Sequence, residues 1–512
     1  MTKSAASRDK SDHRLASVVN VLWAPGGAVD AEAAGRAFQA LAEAGRLAAV
    51  RWPAFYRPPA LVRLLYARAD PPDEATLAAA AAAGLVVWPC EVREGAGALA
   101  GELAIVATPD RVALQQRSAA LIVGASLRLV MVDPSAPEFE GIAPVRGDVA
   151  ATPALLAEAL FSPPRGVLER RGLGEYLRED MSASAMRFEY ELLLRLIGER
   201  APAFHETDDA WERAAALNAA ANVDRSAALA LLHDEYERAD SLALAYGRRW
   251  RSTLAARSFL LFGTNLVSGL IGTLFPTLSV VTLPIQFAVT ALLYLDQHIS
   301  GRRRWRGKWI DYRRAAEATR IARFCLLGDA GFPLPHSRTW IDWRLDRLLR
   351  GAEPASALSE ADAARFLAYL AEVEIDRQIV YHRSAFRRFR RLNARLRRAA
   401  VFALLATIVL GGALAVVAAV GLSTRQIPVL GAIGLALSAG PGLYAALNGL
   451  RSQLDVERQA ARSARIGLAL RRLRRSLIGA PPSAALARAA ATRVAQIMHD
   501  DLSSWDRVME IV

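Results

Sequence analysis

Cysteine is nearly absent from this sequence: Cys90 and Cys325 are the only two. Two isolated thiols cannot build a disulfide framework, and they fit a reducing compartment. The opening residues, "MTKSAASRDKSDHR", lack the apolar core of a secretion signal, so the N-terminal part is expected to stay in the cytoplasm. Catalytic and phosphate-binding signatures are missing too. There is no G-x-G-x-x-G, no P-loop and no G-x-S-x-G, and the seven histidines are scattered. "HETDD" (205–209) lacks the second histidine of a zincin, and "HDE" (233–235) reads as a solvated helix face. No catalytic residue, metal site or cofactor is assigned, and a non-enzyme is favoured over an enzyme.

Charge is missing from two long stretches. The 38 residues between Arg257 and Asp296 contain no Asp, Glu, Lys, Arg or His. The second stretch, Ala399 to Leu450, is uncharged except for Arg425. A spanning helix needs about 20 apolar residues, and Pro276 and Pro284 would break a single helix over the first stretch. Two hairpins are expected, at about 257–296 and 400–449, giving four transmembrane helices. Soluble cores rarely hold helices bare of charge for 26 and then 25 consecutive residues, as 399–424 and 426–450 are. Gly263, Gly269, Gly411, Gly440 and Gly442 suit close backbone approach in such helices.

What the sequence does hold is arginine. The 512 residues are 53% hydrophobic with mean hydropathy +0.18, yet 22% are charged and the net charge is +13. That excess suits nucleic acid or anionic lipid headgroups equally well. Position favours lipid. Arg248, Arg249, Trp250 and Arg251 precede the first hairpin; Arg302, Arg303, Arg304, Trp305, Arg306 and Trp309 follow it. Arg387, Arg388, Arg390, Arg391, Arg397 and Arg398 precede the second. Basic residues are retained on the cytoplasmic side of a membrane. Both hairpins therefore enter and leave from the cytoplasm, in a multi-pass inner-membrane protein with cytoplasmic N- and C-termini. The bilayer is the partner this implies, and nucleic acid is not called for.

The surroundings of the hairpins repeat. Each follows an amphipathic helix that runs directly into the membrane, "HDEYERADSLALAYGRRWRSTLAARSFLLF" and "VEIDRQIVYHRSAFRRFRRLNARLRRAAVFALL". Each is followed by a long cytoplasmic helix, "DYRRAAEATRIARFCLL" and "DVERQAARSARIGLALRRLRRSL". This reads as an internal duplication over 166–330 and 373–512, joined by a helical linker, 331–372. In the linker, Ser359 and Asp362 form a capping-box-like start, and Trp340, Trp343, Phe366 and Tyr369 read as core. The C-terminal "AATRVAQIMHDDLSSWDRVMEIV" reads as a helix packed on the others.

Residues 15–165 differ in texture. "LASVVNVLW", "LAAVRW", "LVVWPCEV", "ELAIVAT" and "LRLVMVD" read as strands, and 60–68 and 73–83 as helices. The alternation predicts a Rossmann-like α/β domain with a mostly parallel sheet covered on both faces. Ligands of such sheets sit beyond the strand carboxyl ends, so Gly26, Gly27, Asp30, Asp70 and Glu74 are candidate ligand-binding residues. Asp70 or Asp73 capping a helix is the plainer alternative.

The first hairpin and "RRRWRGKWIDYRRAAEATRIARFCLL" resemble the SLATT family, two-helix membrane modules with a long cytoplasmic helix. Trp309, Tyr312, Arg313, Ala316 and Glu317 carry the likeness over roughly 230–330. "ARADPPDEATLAAAAAAGLVVWP" is similar to SLOG domains, Rossmann-like nucleotide sensors, through Ala69, Asp70 and Pro89. The resemblance implies an oligomeric membrane effector of a bacterial conflict system. A nucleotide second messenger would be sensed in the cytoplasm, and the membrane helices would assemble or open a pore. The alternatives are a membrane-anchored nucleotide-processing enzyme and a scaffold whose N-terminal domain docks a partner.

Overall fold

The computed structural model describes residues 15–23, 31–67, 72–90, 102–105 and 127–130, and most of 153–509 outside 181–187, 199–208, 331–338, 351–357 and 421–427. Two long rods organise it. Helix α6 (Ser226–Leu274) runs 49 residues without a break, about 73 Å at 1.5 Å per residue. The helices that precede it, α3 (Val167–Arg178), α4 (Glu189–Leu196) and α5 (Asp209–Ala219), pack on its charged first half. Its first half buries one side, with Leu232, Ala239, Leu242 and Tyr246 inside, as an amphipathic helix must. Its second half is the first uncharged run. Helix α7 (Thr282–Arg302) returns, and α8 (Trp305–Leu327) descends beside α6. Trp309 covers Gly247, where a Cβ would sit 2.9 Å from the indole. Arg313 donates to Asp240 at 2.8 Å, and Arg225 donates to the Leu327 carbonyl at 3.2 Å. These three contacts run in opposite sequence order, so α6 and α8 are antiparallel.

The second rod repeats the plan. Ser359 caps α10 (Glu360–Tyr369) by accepting the Asp362 N–H at 3.1 Å, as the capping box predicts. A π-helical turn, Leu370–Asp376, leads into α11 (Arg377–Ala419), which carries the second uncharged run. Helix α12 (Pro428–Gln453) returns and α13 (Val456–Leu477) descends, with Gly467 against His382 and Arg474 paired to Asp376 at 3.2 Å. Both units turn from returning to descending helix on one left-handed residue. Arg304 has φ 50°, ψ 37°, and Asp455 has φ 48°, ψ 38°. The descending helices bury matching rows: Trp305, Tyr312, Ala315, Ala316 and Thr319 in α8, against Val456, Ser463, Ile466, Gly467 and Leu470 in α13. One topology therefore serves both units. The last helix, α14 (Ala484–Met509), inserts Ala487, Ala491, Val494 and Met498 between α8 and α10, as expected of a packed C-terminal helix.

The fold class expected for the N-terminal part needs correction. The described chain is a helical body, and no Rossmann-like α/β domain stands among the described residues. Short strands β1 (Leu15–Trp23), β2 (Tyr56–Ala67), β3 (Val86–Cys90), β4 (Glu102–Ile105) and β5 (Leu127–Val130) pair in parallel in the order β3-β2-β1-β5-β4. Only α1 (Ala31–Arg51) and α2 (Glu74–Ala82) are described between them. Among the described residues, the buried side chains of this part share a cluster with the helical body. Phe38, Tyr56, Leu64 and Phe161 belong to one cluster with Tyr176, Tyr312 and Trp340 of the helical body. Helix α9 (Trp340–Arg350) makes the join: Trp343 packs on Tyr56 at 6.0 Å and donates to the Ser162 carbonyl at 3.1 Å.

Two element assignments also change. "LAAVRW" continues α1 instead of forming a strand, because Leu47 and Ala48 keep the helical face buried to its end. The stretch 60–68 belongs mainly to β2, held by pairing with β1 and β3 on either side. The register skips Pro58 and Pro59, passing from Arg57 opposite Ala16 to Ala60 opposite Ser17. Proline has no N–H to give a ladder, and a bulge is where it is tolerated.

Candidate membrane hairpins and their helical arms

Among the described residues, two helices are long and apolar enough to cross a membrane, over 226–271 and 360–417. Only 11% of each apolar window is buried, whereas a core helix of a soluble protein hides its apolar side chains. Phe402 is 74% exposed and Val409 68%. Two long apolar helices could thus cross a bilayer.

Polar groups at the hairpins are used between helices. Arg257 donates to Asp296 at 2.9 Å and to the Ser300 hydroxyl at 2.9 Å, clamping α6 to α7 where the uncharged run begins. Further in, Gln286 donates to the Ser268 hydroxyl at 3.2 Å. The second hairpin closes through small residues instead. A Cβ on Gly440 would lie 1.8 Å from the Thr407 hydroxyl, and one on Gly442 would lie 2.8 Å from the Asn265 amide nitrogen. Helix α12 therefore contacts both α11 and α6 at backbone distance.

The expected collar residues divide into two sets. Arg249, Arg251 and Arg306 lie over Tyr246, Trp309 and Trp250 at 5.2, 5.4 and 5.9 Å, and Trp305 is buried in the helical core. Guanidinium faces stack well on such rings, so this set is built into the protein; Arg304 sits with it, 3.9 Å from Glu175 and 3.7 Å from Asp311. Arg248, Arg302, Arg303, Arg387, Arg390, Arg391, Arg397 and Arg398 are exposed, and Arg388 lies over Phe389 at 5.2 Å.

The arms are tied together by buried charge. Arg323 of α8, fully buried, pairs with Glu374 of the π-helical turn at 2.7 Å. Tyr369 also donates to Glu374 at 2.8 Å, and Arg323 lies over Trp211 at 4.3 Å. Burial alone would raise the Glu317 carboxyl, but Arg313 and Arg320 beside it outweigh that and hold it down to about 2. Across the seam, burial pushes the His382 imidazole down to about 4, against the opposing pull of Glu317. Trp309, Tyr312, Arg313, Ala316 and Glu317, the residues behind the SLATT likeness, all lie along α8 where it meets its neighbours.

Sequence reasoning missed these pairs because the partners are far apart in the chain. "HDE" is only partly a solvated face: Asp234 is exposed, but Glu235 is buried against Arg344, with contacts of 2.5 and 2.6 Å, and His233 stacks on Trp211 at 4.8 Å. The i, i+4 spacing of Arg313 and Glu317 and the i, i+3 spacing of Glu317 and Arg320 are local signals of the network. Trp340, Phe366 and Tyr369 are buried, as their reading as core requires.

Of the candidate ligand residues, Gly26, Gly27, Asp30 and Asp70 lie outside the described residues. Glu74 is exposed in the first turn of α2, and Asp73 caps that helix by accepting the Thr76 N–H at 2.7 Å. Among the described residues no cluster of three His, Cys, Asp or Glu could hold a metal. Cys325 is buried in the core, and burial raises its thiol. No protein-family model, no curated protein and no solved structure matches the chain.

Proposed function

We propose that the chain is an integral membrane effector of the SLATT-like kind, in which a cytoplasmic helical body sets the state of two membrane hairpins. The observation that carries this reading is continuity. Helix α6 passes from the packed arm into the apolar run as one uninterrupted helix, and α11 does the same. A rotation or shift at the cytoplasmic end is delivered to the membrane half undamped, which a flexible linker would prevent.

A signal in the cytoplasm acts on this device only by binding one arm arrangement better than another. The buried Arg323–Glu374 pair, which joins the two arms, is the contact that such a signal would have to keep or break. A nucleotide is the signal class the resemblance suggests. Assembly of several copies, with the hairpins opening a path through the bilayer, is the output.

Sedimentation and topology test this. Full-length protein should stay in carbonate-washed membranes, and cysteines placed at Val281 and at Ile478 should react with an impermeant maleimide from opposite sides. Expression should depolarise cells carrying a potential-sensitive dye. Protein that remains in the supernatant without detergent ends the membrane reading; membrane integration without depolarisation ends the pore.

A further inference from the structure

Part of the arginine row on the second arm reaches farther from the bilayer than a lipid collar can use: Arg383, Arg472 and Arg475 lie clearly beyond it. Because α11 is one helix from Arg377 to Ala419, its cytoplasmic part continues the line of the membrane crossing. Arg390, Arg387 and Arg383 are exposed and lie about 14 to 24 Å along the axis from Ala399, where the uncharged run begins. On α13, Arg465, Arg472 and Arg475 are exposed at about 14 to 29 Å from Val456. The headgroup layer is only roughly 5–8 Å deep, and the attraction of its surface decays over a Debye length of about 8–10 Å.

Composition makes the same point. Residues 377–398 contain nine arginines and no acid, and α13 contains seven arginines and one acid, Glu457. That excess is larger than the +13 of the whole chain. Among the described residues, none of the six arginines named above is held in an ion pair. Nearly all the basic side chains are of one type: of 64, only Lys3, Lys10 and Lys308 are lysines. Arginine's planar fork matches two phosphate oxygens at once, where lysine offers a point charge.

We propose that the exposed faces of α11 and α13 form a docking surface for nucleic acid, held through its phosphate backbone. The proposal rests on the membrane reading for the distance from lipid. It uses no base-specific contact, so the binding is sequence-tolerant and strongly salt-dependent. An extended row of arginines with Phe386 beside Arg390, 5.4 Å from guanidinium to ring, gives a backbone track with an aromatic neighbour.

The test uses full-length protein in nanodiscs of uncharged phosphatidylcholine, titrated with fluorescein-labelled mixed-sequence duplex DNA and single-stranded RNA at several salt concentrations. Binding should weaken steeply with salt. The triple change Arg383→Gln, Arg387→Gln and Arg390→Gln should reduce the log–log salt slope by roughly three. The pair Arg302→Gln and Arg303→Gln, beside the first hairpin, should leave it unchanged. A second triple, Arg465→Gln, Arg472→Gln and Arg475→Gln, gives an independent reading if the first lowers the helical circular-dichroism signal. Absence of salt-dependent binding, or equal binding by both triples and the wild type, overturns the proposal. So does a result in which the triples lose only association with phosphatidylglycerol vesicles, since the surface would then belong to lipid. Flotation of the wild type is read separately: protein that binds nucleic acid yet does not float refutes the membrane reading and leaves the docking surface standing.

Discussion

The first and second arms share a topology and spend their charge differently. The first, 226–257 with α8, has eleven basic residues and six acidic ones, and most are turned inward. Arg313 meets Asp240 and Glu317, Arg344 of the neighbouring α9 meets Glu235, and Lys308 reaches Glu179 at 2.5 Å. The second arm has almost no acid of its own to pair with; Arg377 and Arg474 find Asp209 and Asp376, while Arg383, Arg387, Arg390, Arg465, Arg472 and Arg475 face out. One arm is consolidated by its charges and the other displays them. The docking surface proposed above would make this a division of labour between the two units.

The comparison can be broken most forcefully where the arms join. Glu374→Ala leaves Arg323 charged and buried without its carboxylate, which should cost about 3–5 kcal/mol of stability. Thermal unfolding in detergent would show it. Replacing both, Arg323→Met with Glu374→Leu, should recover most of the loss; if it does not, the pair contributes more than mutual neutralisation.

A second prediction separates the hairpins. Gly440→Ala drives a Cβ into Thr407, while Gly263→Ala meets nothing within 4 Å. The former should cost about 1–3 kcal/mol and the latter less than about 0.5 kcal/mol, measured as melting shifts. Equal effects would mean that the second hairpin is not closed through its glycines.

The third concerns pH. His382 is kept neutral in the fold, with its imidazole pushed down to about 4 from an ordinary 6.5. Between those values the unfolded chain binds the proton and the folded chain does not, so stability falls as pH drops from 6.5 toward 4. The slope approaches about 1.4 kcal/mol per pH unit for one proton. Its neighbours Glu317, Arg313, Arg320 and Arg462 keep their charge over that window, because the Glu317 carboxyl is held down to about 2. His382→Leu should flatten the pH dependence of melting between 6.5 and 4; an unchanged slope would place the titration elsewhere.

The smallest effect distinguishes the two left-handed corners. Asp tolerates that conformation better than Arg, so Arg304→Gly should stabilise by about 0.5–1 kcal/mol. Asp455→Gly should gain less. Chemical denaturation of both variants would rank them.

Much of the helical plan was legible because its signals are local. The uncharged runs after Arg257 and Arg398 and the Ser359 cap all sit within a few residues of what they specify. The N-terminal part was read less well. "LAAVRW" and 60–68 carry apolar patterns that suit helix or strand, and pairing with β1 and β3 decided the second. The expected Rossmann-like domain failed for a related reason: Tyr56 packs on Phe161 and on Trp343, more than one hundred and more than two hundred residues away, and no local pattern announces that. The buried pairs Glu235–Arg344 and Arg323–Glu374 were hidden in the same way, since a charged residue in a helix reads as surface until its counterion is found.

The single-residue corners at Arg304 and Asp455 leave no slack between returning and descending helices. One residue inserted there would turn the whole downstream helix by about 100° and swing Tyr312 or Ser463 away from its seat. Gains and losses of length should therefore accumulate in the hairpin tips and linkers, while the spacing across these two corners stays invariant through any lineage that keeps the fold.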